Sequence, residues 1–369
     1  FVELARIIET VDPLAFQFST TRFPLTDTIQ GGTVLPVLVS AGVLVAGQLD
    51  PASDSGIAGD LLTNDATPTL VGTATPGVTI EVATPFGVLT TVATAAGTWT
   101  LTLPSPLPDG AASLVVTARD TLGGVATTTI SFNVDTAISL TTQLAPASDT
   151  ALVGDNLTRD DTPTLRGTGE PGASITVTSP TGEVLTTTVA ADGTWSVTPA
   201  APLPDGLARF DVVTRDAAGN TKSATVDLTI DTTPPGTPTV EIREDANNDG
   251  RLGVAEISGD ADIRVTLPAN ALAGDTLTVS DGTVTRSFVL TAADIAAGHV
   301  DTTFANPADG ATLTVTAGLV DRAGNVSPTG SDFASRDSTP PTAVAVFASG
   351  AEDPAGRIAI TLQATDTGS

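Results

Sequence analysis

Residues 245–256 read DANNDGRLGVAE and satisfy the pattern D-x-[DN]-x-[DN]-G-x5-E at every defined position. The spacing has a physical reason. Asp245, Asn247 and Asp249 turn oxygen ligands to one side of a tight loop, and Gly250 permits the sharp bend. Arg251 offers its backbone carbonyl, and Glu256 closes the shell with both carboxylate oxygens. An all-oxygen set suits calcium, a hard cation that takes roughly six to eight oxygens in flexible geometry, better than zinc. The flanks TVEIRE and ISGDADIRVTL read as strands, which places this loop outside a helix-loop-helix. The alternative is an Asx-rich surface turn without metal.

A second set of acids comes with an internal repeat, which decides architecture before any local reading does. Residues 144–172, LAPASDTALVGDNLTRDDTPTLRGTGEPG, restate residues 49–77, LDPASDSGIAGDLLTNDATPTLVGTATPG, so the unit is about 95 residues long. Asp54, Asp60 and Asp65 of the first unit return as Asp149, Asp155 and Asp160 of the second, just after a domain boundary. Asp120 and Asp135 return as Asp216 and Asp231, in a turn and at a domain end. In a head-to-tail sandwich array the turn and last strand of one domain approach the first loop of the next, so the two sets are expected to share a cation. The alternative is that each aspartate only caps its own turn.

Composition removes other chemistries. The chain has 369 residues, 15 basic against 42 acidic, a net charge of −27 that repels phosphate backbones and anionic lipid. Nucleic acid is excluded as a partner on that ground. With no cysteine and one histidine, disulfides, thiolate metal sites and multi-histidine zinc sites have no material. No phosphate-binding loop, nucleophile elbow or dinucleotide fingerprint is present, and active sites are seldom copied along a repeat, so the chain reads as non-enzymatic. His299 follows a short helical turn capped by Thr291 and Asp294 and reads as an exposed structural residue.

The elements that must position these residues are strands. In KSATVDLTID, residues 222–231, Ala224, Val226, Leu228 and Ile230 alternate with polar residues, the period-2 signature of a half-buried strand. Similar runs at 138–144, 163–168, 173–179, 184–190, 194–198 and 208–215 are separated by Pro-Gly, Asp-Gly and Gly-Asn turn signals. The expected fold is all-β: tandem immunoglobulin-like β-sandwich domains in an elongated, monomeric array. Domains are expected at 49–137, 138–236 and 237–342, the last carrying the calcium loop. Residues 1–48 stay unassigned and 343–369 begin a truncated fourth domain. Trp99 and Trp195, at matching positions, read as core. The uncharged stretch 28–49 reads as strands rather than a membrane span, because Pro36, glycines and β-branched residues interrupt it.

The string SDTALVGDNLTRDDTPTLRGT at 148–168, the later DGTWS, PLPDG and DAAGN, and the closing DTTPP resemble bacterial Ig-like repeats of very large surface adhesins, the biofilm-associated and RTX-type proteins exported by type I secretion. The likeness covers about residues 49–342. It departs in the first unit, where Asp120-Thr121-Leu122-Gly123-Gly124 replaces DAAGN and Asp135-Thr136-Ala137 replaces DTTPP, so that unit's downstream junction is expected to bind calcium differently or not at all. The resemblance implies an extracellular or cell-surface spacer in attachment or biofilm formation, stiffened by calcium between neighbouring domains, with cell-surface or matrix ligands met elsewhere in the protein. The competing expectation is a glycan-binding or linker module of a secreted polysaccharide-degrading enzyme.

Overall fold

The computed structural model describes residues 42–339, together with the backbone of strands Thr342–Val346 and Thr361–Thr365. Most of the unassigned N-terminal stretch and most of the truncated fourth domain lie outside the described residues. The described chain falls into two compact units. One comprises the residues up to Asp54 and Asp65–Val134; the other comprises Ser55–Asn64 and the chain from Asp135 onward. Among the described residues no helix is long and apolar enough to cross a membrane.

The first unit is a β-sandwich. One sheet places Val45–Leu49 beside Thr69–Ala74 and that strand beside Thr98–Thr102. In the other sheet Val125–Val134, Gly110–Arg119, Thr79–Thr84 and Gly87–Val92 lie side by side in that order. The strand Val45–Leu49 pairs antiparallel with Thr69–Ala74, so the first domain starts upstream of the boundary expected at residue 49. The reason is burial: Leu49 is in the core and Val45 packs against it.

The second unit holds two further sandwiches with the same plan. In the first of these, Gln143–Leu144, Leu165–Thr168 and Thr194–Val197 form one sheet. The other runs Leu157–Thr158, Thr221–Ile230, Gly206–Arg215, Ser174–Thr178, Val184–Thr188. In the next, Thr239–Ile242, Ala261–Thr266 and His299–Phe304 face a sheet ordered Arg251–Gly253, Gly330–Asp337, Thr312–Val320, Thr276–Ser280, Thr285–Val289. The alternation read from residues 222–231 is realised, with Val226, Leu228 and Ile230 buried. The run at 138–144 is strand only at its last two residues, with a single bridge from Leu140 to Gly169 upstream.

Each core is built by the apolar positions of facing strands, with Phe210, Leu165 and Ile175 fully buried in the second sandwich and Ile263, Leu277 and Phe304 in the third. Burying such a side chain contributes about 1.5–3 kcal/mol. Trp99 and Trp195 are core residues, 3% and 4% exposed. Each indole lies over a glycine on the neighbouring strand, Gly72 or Gly167, where a Cβ would stand 2.6 or 2.7 Å from the indole nitrogen. The helix Ala292–Ala297 has the expected capping box of Thr291 and Asp294, and His299 opens the following strand.

One topological detail positions the acids. In the last two sandwiches the incoming strand pairs with one sheet, then crosses over, and a short second piece runs parallel to the domain's last strand: Leu157–Thr158 along Thr229–Ile230, and Arg251–Gly253 along Ser335–Asp337. The crossover therefore spans both sheets at one end of the sandwich.

Candidate metal centre

The two acidic sets read separately from the sequence occupy the same topological place. Asp149 and Asp155 sit on the crossover between Gln143–Leu144 and Leu157–Thr158, and Asp160 follows it. Asp245, Asn247 and Asp249 sit on the crossover between Thr239–Ile242 and Arg251–Gly253, and Glu256 follows that one. The first domain has Asp54 and Asp60 between Val45–Leu49 and Leu62–Thr63, with Asp65 after them.

The loop at 245–256 folds around its own carboxylates. Asp245 is 6% exposed; its Oδ1 accepts from the Asp249 N–H at 3.0 Å and its Oδ2 from the Gly250 N–H at 2.8 Å. Asn247 Oδ1 also accepts from Asp249 N–H, and Asp249 Oδ1 accepts from Arg251 N–H. Gly250 takes the left-handed conformation, φ +77°, that the motif's glycine serves. Glu256 Oε2 accepts from Gly253 N–H at 2.9 Å, so it closes its own turn rather than reaching the centre of the loop. These are Asx-turn contacts, and each carboxylate oxygen retains a further lone pair.

The crossover at 149–160 is similar in kind. Asp149 is 7% exposed, its Oδ2 accepts from Gly154 N–H at 2.5 Å, and its buried Oδ1 has no hydrogen-bond partner. Asp155 Oδ1 accepts from Leu157 N–H, and its Oδ2 faces Arg322 at 3.7 Å. Asp160 Oδ1 accepts from Thr162 N–H. In the first domain Asp60 Oδ1 accepts from Leu62 N–H, Asp65 Oδ1 from Thr67 N–H, and Asp120 Oδ1 from Leu122 and Gly124 N–H.

Carboxylates converge elsewhere. Asp135, Glu170 and Asp216 each bring one oxygen within 4.8 Å of the others, the only group of at least three acidic or histidine side chains so close among the described residues. Asp135 stands where the chain enters the second unit, Glu170 opens the turn before Ser174–Thr178, and Asp216 begins the turn after Gly206–Arg215. Asn220 ties two of these points together: its Nδ2 donates to the Asp135 carbonyl and to Asp216 Oδ2, both at 2.8 Å. Burial, and then the charges of Asp135 and Asp216, push the Glu170 carboxyl above the ordinary range. Three oxygen donors that repel one another are a fitting set for a hard divalent cation.

Asp135 and Asp216 were expected as ligands from the sequence; Glu170 was not. The repeat conceals it, because Thr75 holds its place in the first unit. The departure from the DTTPP pattern at Asp135 does not keep that residue out of the group. Asp231, the counterpart of Asp135, has its carbonyl bonded by Asn325 Nδ2 at 2.7 Å, and Asn325 also reaches Asp321 Oδ2 at 2.9 Å. A third acid is present here too, but at the other end of its turn. Asp275 is 2% exposed and lifted by burial, with Asp321 and Asp231 adding to the rise.

The repeated Asp-Gly turns also gain a role. Asp205 accepts from the Thr232 N–H and the hydroxyls of Thr232 and Thr233, and Asp309 from the Ser338 N–H and the hydroxyls of Ser338 and Thr339. Each carboxylate fastens the segment that leaves its domain, and these bonds, led by that from Ser338 N–H, hold Asp309 down to about 2.

The sequence profile of the bacterial Ig-like domain family matches residues 41–136 and again 137–232, together more than half of the chain. The chain belongs to the bacterial Ig-like domain family. Its third sandwich repeats the plan of the matched pair, although the matched residues end at 232. No curated protein shows significant sequence similarity to it. Among solved structures it is similar to part of a 1.5-MDa bacterial ice-binding adhesin, at 23% identity over 82% of this chain and 100% of that one, with a TM-score of 0.35. It is similar to a Ca2+-stabilized adhesin of an Antarctic bacterium, at 27% identity over 83% of this chain and 76% of that one, with a TM-score of 0.34. It is also similar to a tetra-tandem repeat from the extending region of a large adhesion protein, at 22% identity over 88% of each chain, with a TM-score of 0.29.

Proposed function

We propose that the chain is a calcium-stiffened spacer of a bacterial surface adhesin, a run of Ig-like domains that works outside the cell in attachment or biofilm formation. The observation that carries this reading is the convergence of Asp135, Glu170 and Asp216 where the chain enters the second unit. Empty, such a group repels itself and loosens the segment it holds; a divalent cation turns that repulsion into shared ligation. Asp135 lies on the connecting chain and the other two on turns of the following sandwich, so a bound ion restrains the connection rather than a core. The loop at 245–256, with Asp245, Asn247, Asp249, the Arg251 carbonyl and Glu256, is a second site in this reading. Calcium at a hundredfold over its Kd adds about 2.7 kcal/mol to the stability of the domain that holds it.

The glycan-binding alternative finds less support. An open groove of about 710 Å³ lies along the three-stranded sheet in each of the first two domains. Threonine is the most frequent residue in both linings, and the aromatic residue in each, Trp99 or Trp195, is buried and offers no stacking face.

Calorimetric titration of the chain with calcium tests the proposal. Binding is expected, and Asp135→Asn with Glu170→Gln and Asp216→Asn is expected to remove one site while the fold, followed by circular dichroism, persists. Absence of heat at millimolar calcium, with an unchanged melt, would refute it.

A further inference from the structure

One stretch of the first sandwich differs in charge from the rest of the chain. Residues 82–108 contain no Asp, Glu, Lys or Arg, in a sequence that carries 42 acidic and 15 basic residues. Gly87–Val92 ends the five-stranded sheet and Thr98–Thr102 ends the three-stranded one, and both lie inside that stretch. Glu81, opposite Thr90 on the neighbouring strand, is neutralised by Arg119, whose Nε stands 2.8 Å away. The matching edge strands of the other two sandwiches are guarded. Glu183 directly precedes Val184–Thr188, where Thr188 stands in the place of Val92, and Arg286 lies within Thr285–Val289. Charges and prolines at an edge are the common defence against pairing with another chain, and Gly87–Val92 contains neither.

The edge also fits a copy of itself. Ala93 N–H donates to the Val78 carbonyl and the Ala93 carbonyl accepts from Gly77 N–H, both at 3.0 Å. By the alternation of an antiparallel ladder, Gly87, Leu89 and Thr91 then bond inward to Thr79–Thr84, while Val88, Thr90 and Val92 turn their N–H and C=O groups outward. Among the described residues nothing pairs with that outer side. Leu89 packs against the core, whereas Val88 and Val92 are 62% and 59% exposed. Antiparallel pairing of this strand with itself, about a two-fold axis at Thr90, sets Thr90 against Thr90 and Val88 against Val92 on both sides of the axis. The outward groups of the three residues then satisfy one another in about six backbone hydrogen bonds.

We propose that Gly87–Val92 pairs with the same strand of a second copy of this chain, joining two five-stranded sheets edge to edge. A chain of charge −27 is repelled by its copy wherever carboxylates meet, and the uncharged stretch is where the copy can approach. The pairing departs from the monomeric array expected from the sequence. It requires no calcium, because the strand carries no carboxylate. One short edge is a small interface, so the dimer is weak and forms only at high concentration.

Sedimentation equilibrium of the full chain tests this, in chelator and in about 0.15 M salt, where charges more than about 8 Å apart are largely screened. Monomer and dimer in exchange are expected by about 1 mM chain. Thr90→Lys places like charges opposite each other at the two-fold axis and is expected to weaken the dimer about fivefold or more, as is Thr90→Glu. An equimolar mixture of those two variants is expected to restore it. Thr186→Lys, at the matching place in the second domain, is expected to leave it unchanged; circular dichroism confirms that each variant is folded. Because the chain has no cysteine, Thr90→Cys gives a second reading, with oxidation expected to link two chains faster than in Thr186→Cys. A chain still monomeric at about 1 mM, a dimer indifferent to Thr90→Lys, or one weakened equally by Thr186→Lys overturns the proposal. The calcium reading stands or falls separately, since every one of these measurements is made in chelator.

Discussion

Glu170 shows how a single carboxyl couples this fold to its solution conditions. Its proton affinity is raised on folding, first by burial and then by Asp135 and Asp216, so the folded state holds a proton in a pH window where the unfolded chain has released it. In chelator, stability from this group therefore falls as pH rises from the ordinary glutamate range through the raised value. Glu170→Gln is expected to flatten that slope and raise the melting temperature at neutral pH in chelator, while lowering the gain that calcium gives; a melt series over pH in both media checks both signs. Asp309 has the opposite sense. Its carboxyl is held at about 2, below the 3.8 of a free aspartate, so its contribution is present above that ordinary value and is lost as pH falls through about 2. Asp309→Asn is expected to lower the melting temperature at neutral pH and to remove part of the acid loss, both read from an acid melt series. The sequence shows Asp309 only as a turn residue, because the hydroxyls it holds on Ser338 and Thr339 lie far along the chain.

At the scale of the element, period-2 alternation made most strands of the second domain legible from residue type alone, since each strand's pattern is local. The crossover piece Leu157–Thr158 was not legible: two residues carry no period, and what makes them strand is parallel pairing with Thr229–Ile230 at the far end of the domain. Glycines whose role lies in packing were equally hidden. Gly167 looks like a strand interruption, yet a Cβ there would stand 1.9 Å from the Thr141 carbonyl and 2.7 Å from Trp195 Nε1. Neither backbone nor a buried indole yields cheaply, so Gly167→Ala is expected to destabilise the second domain by about 1–3 kcal/mol or more. Urea unfolding followed by tryptophan fluorescence measures it. The candidate metal ligands fall between these cases. The loop at 245–256 is a local motif and was readable, whereas the triad draws on three turns far apart in sequence, and repeat comparison gave two of its members but not Glu170.

For the whole molecule, the repeat predicts a chain whose properties are set at its connections. Cores such as those around Phe210 and Phe304 hold the strands of each sandwich together, while Asp135, Glu170 and Asp216 gather on the connecting chain and turns. The net charge of −27 adds self-repulsion, a property that favours solubility. In the proposed reading calcium acts on the connections more than on the cores, with its effect concentrated where carboxylates meet. Small-angle scattering of the full chain in calcium and in chelator tests this most directly. A longer maximum dimension and a narrower spread of conformations are expected in calcium, with Asp135→Asn, Glu170→Gln and Asp216→Asn together returning the profile toward that in chelator. Superimposable profiles in the two media would contradict this reading.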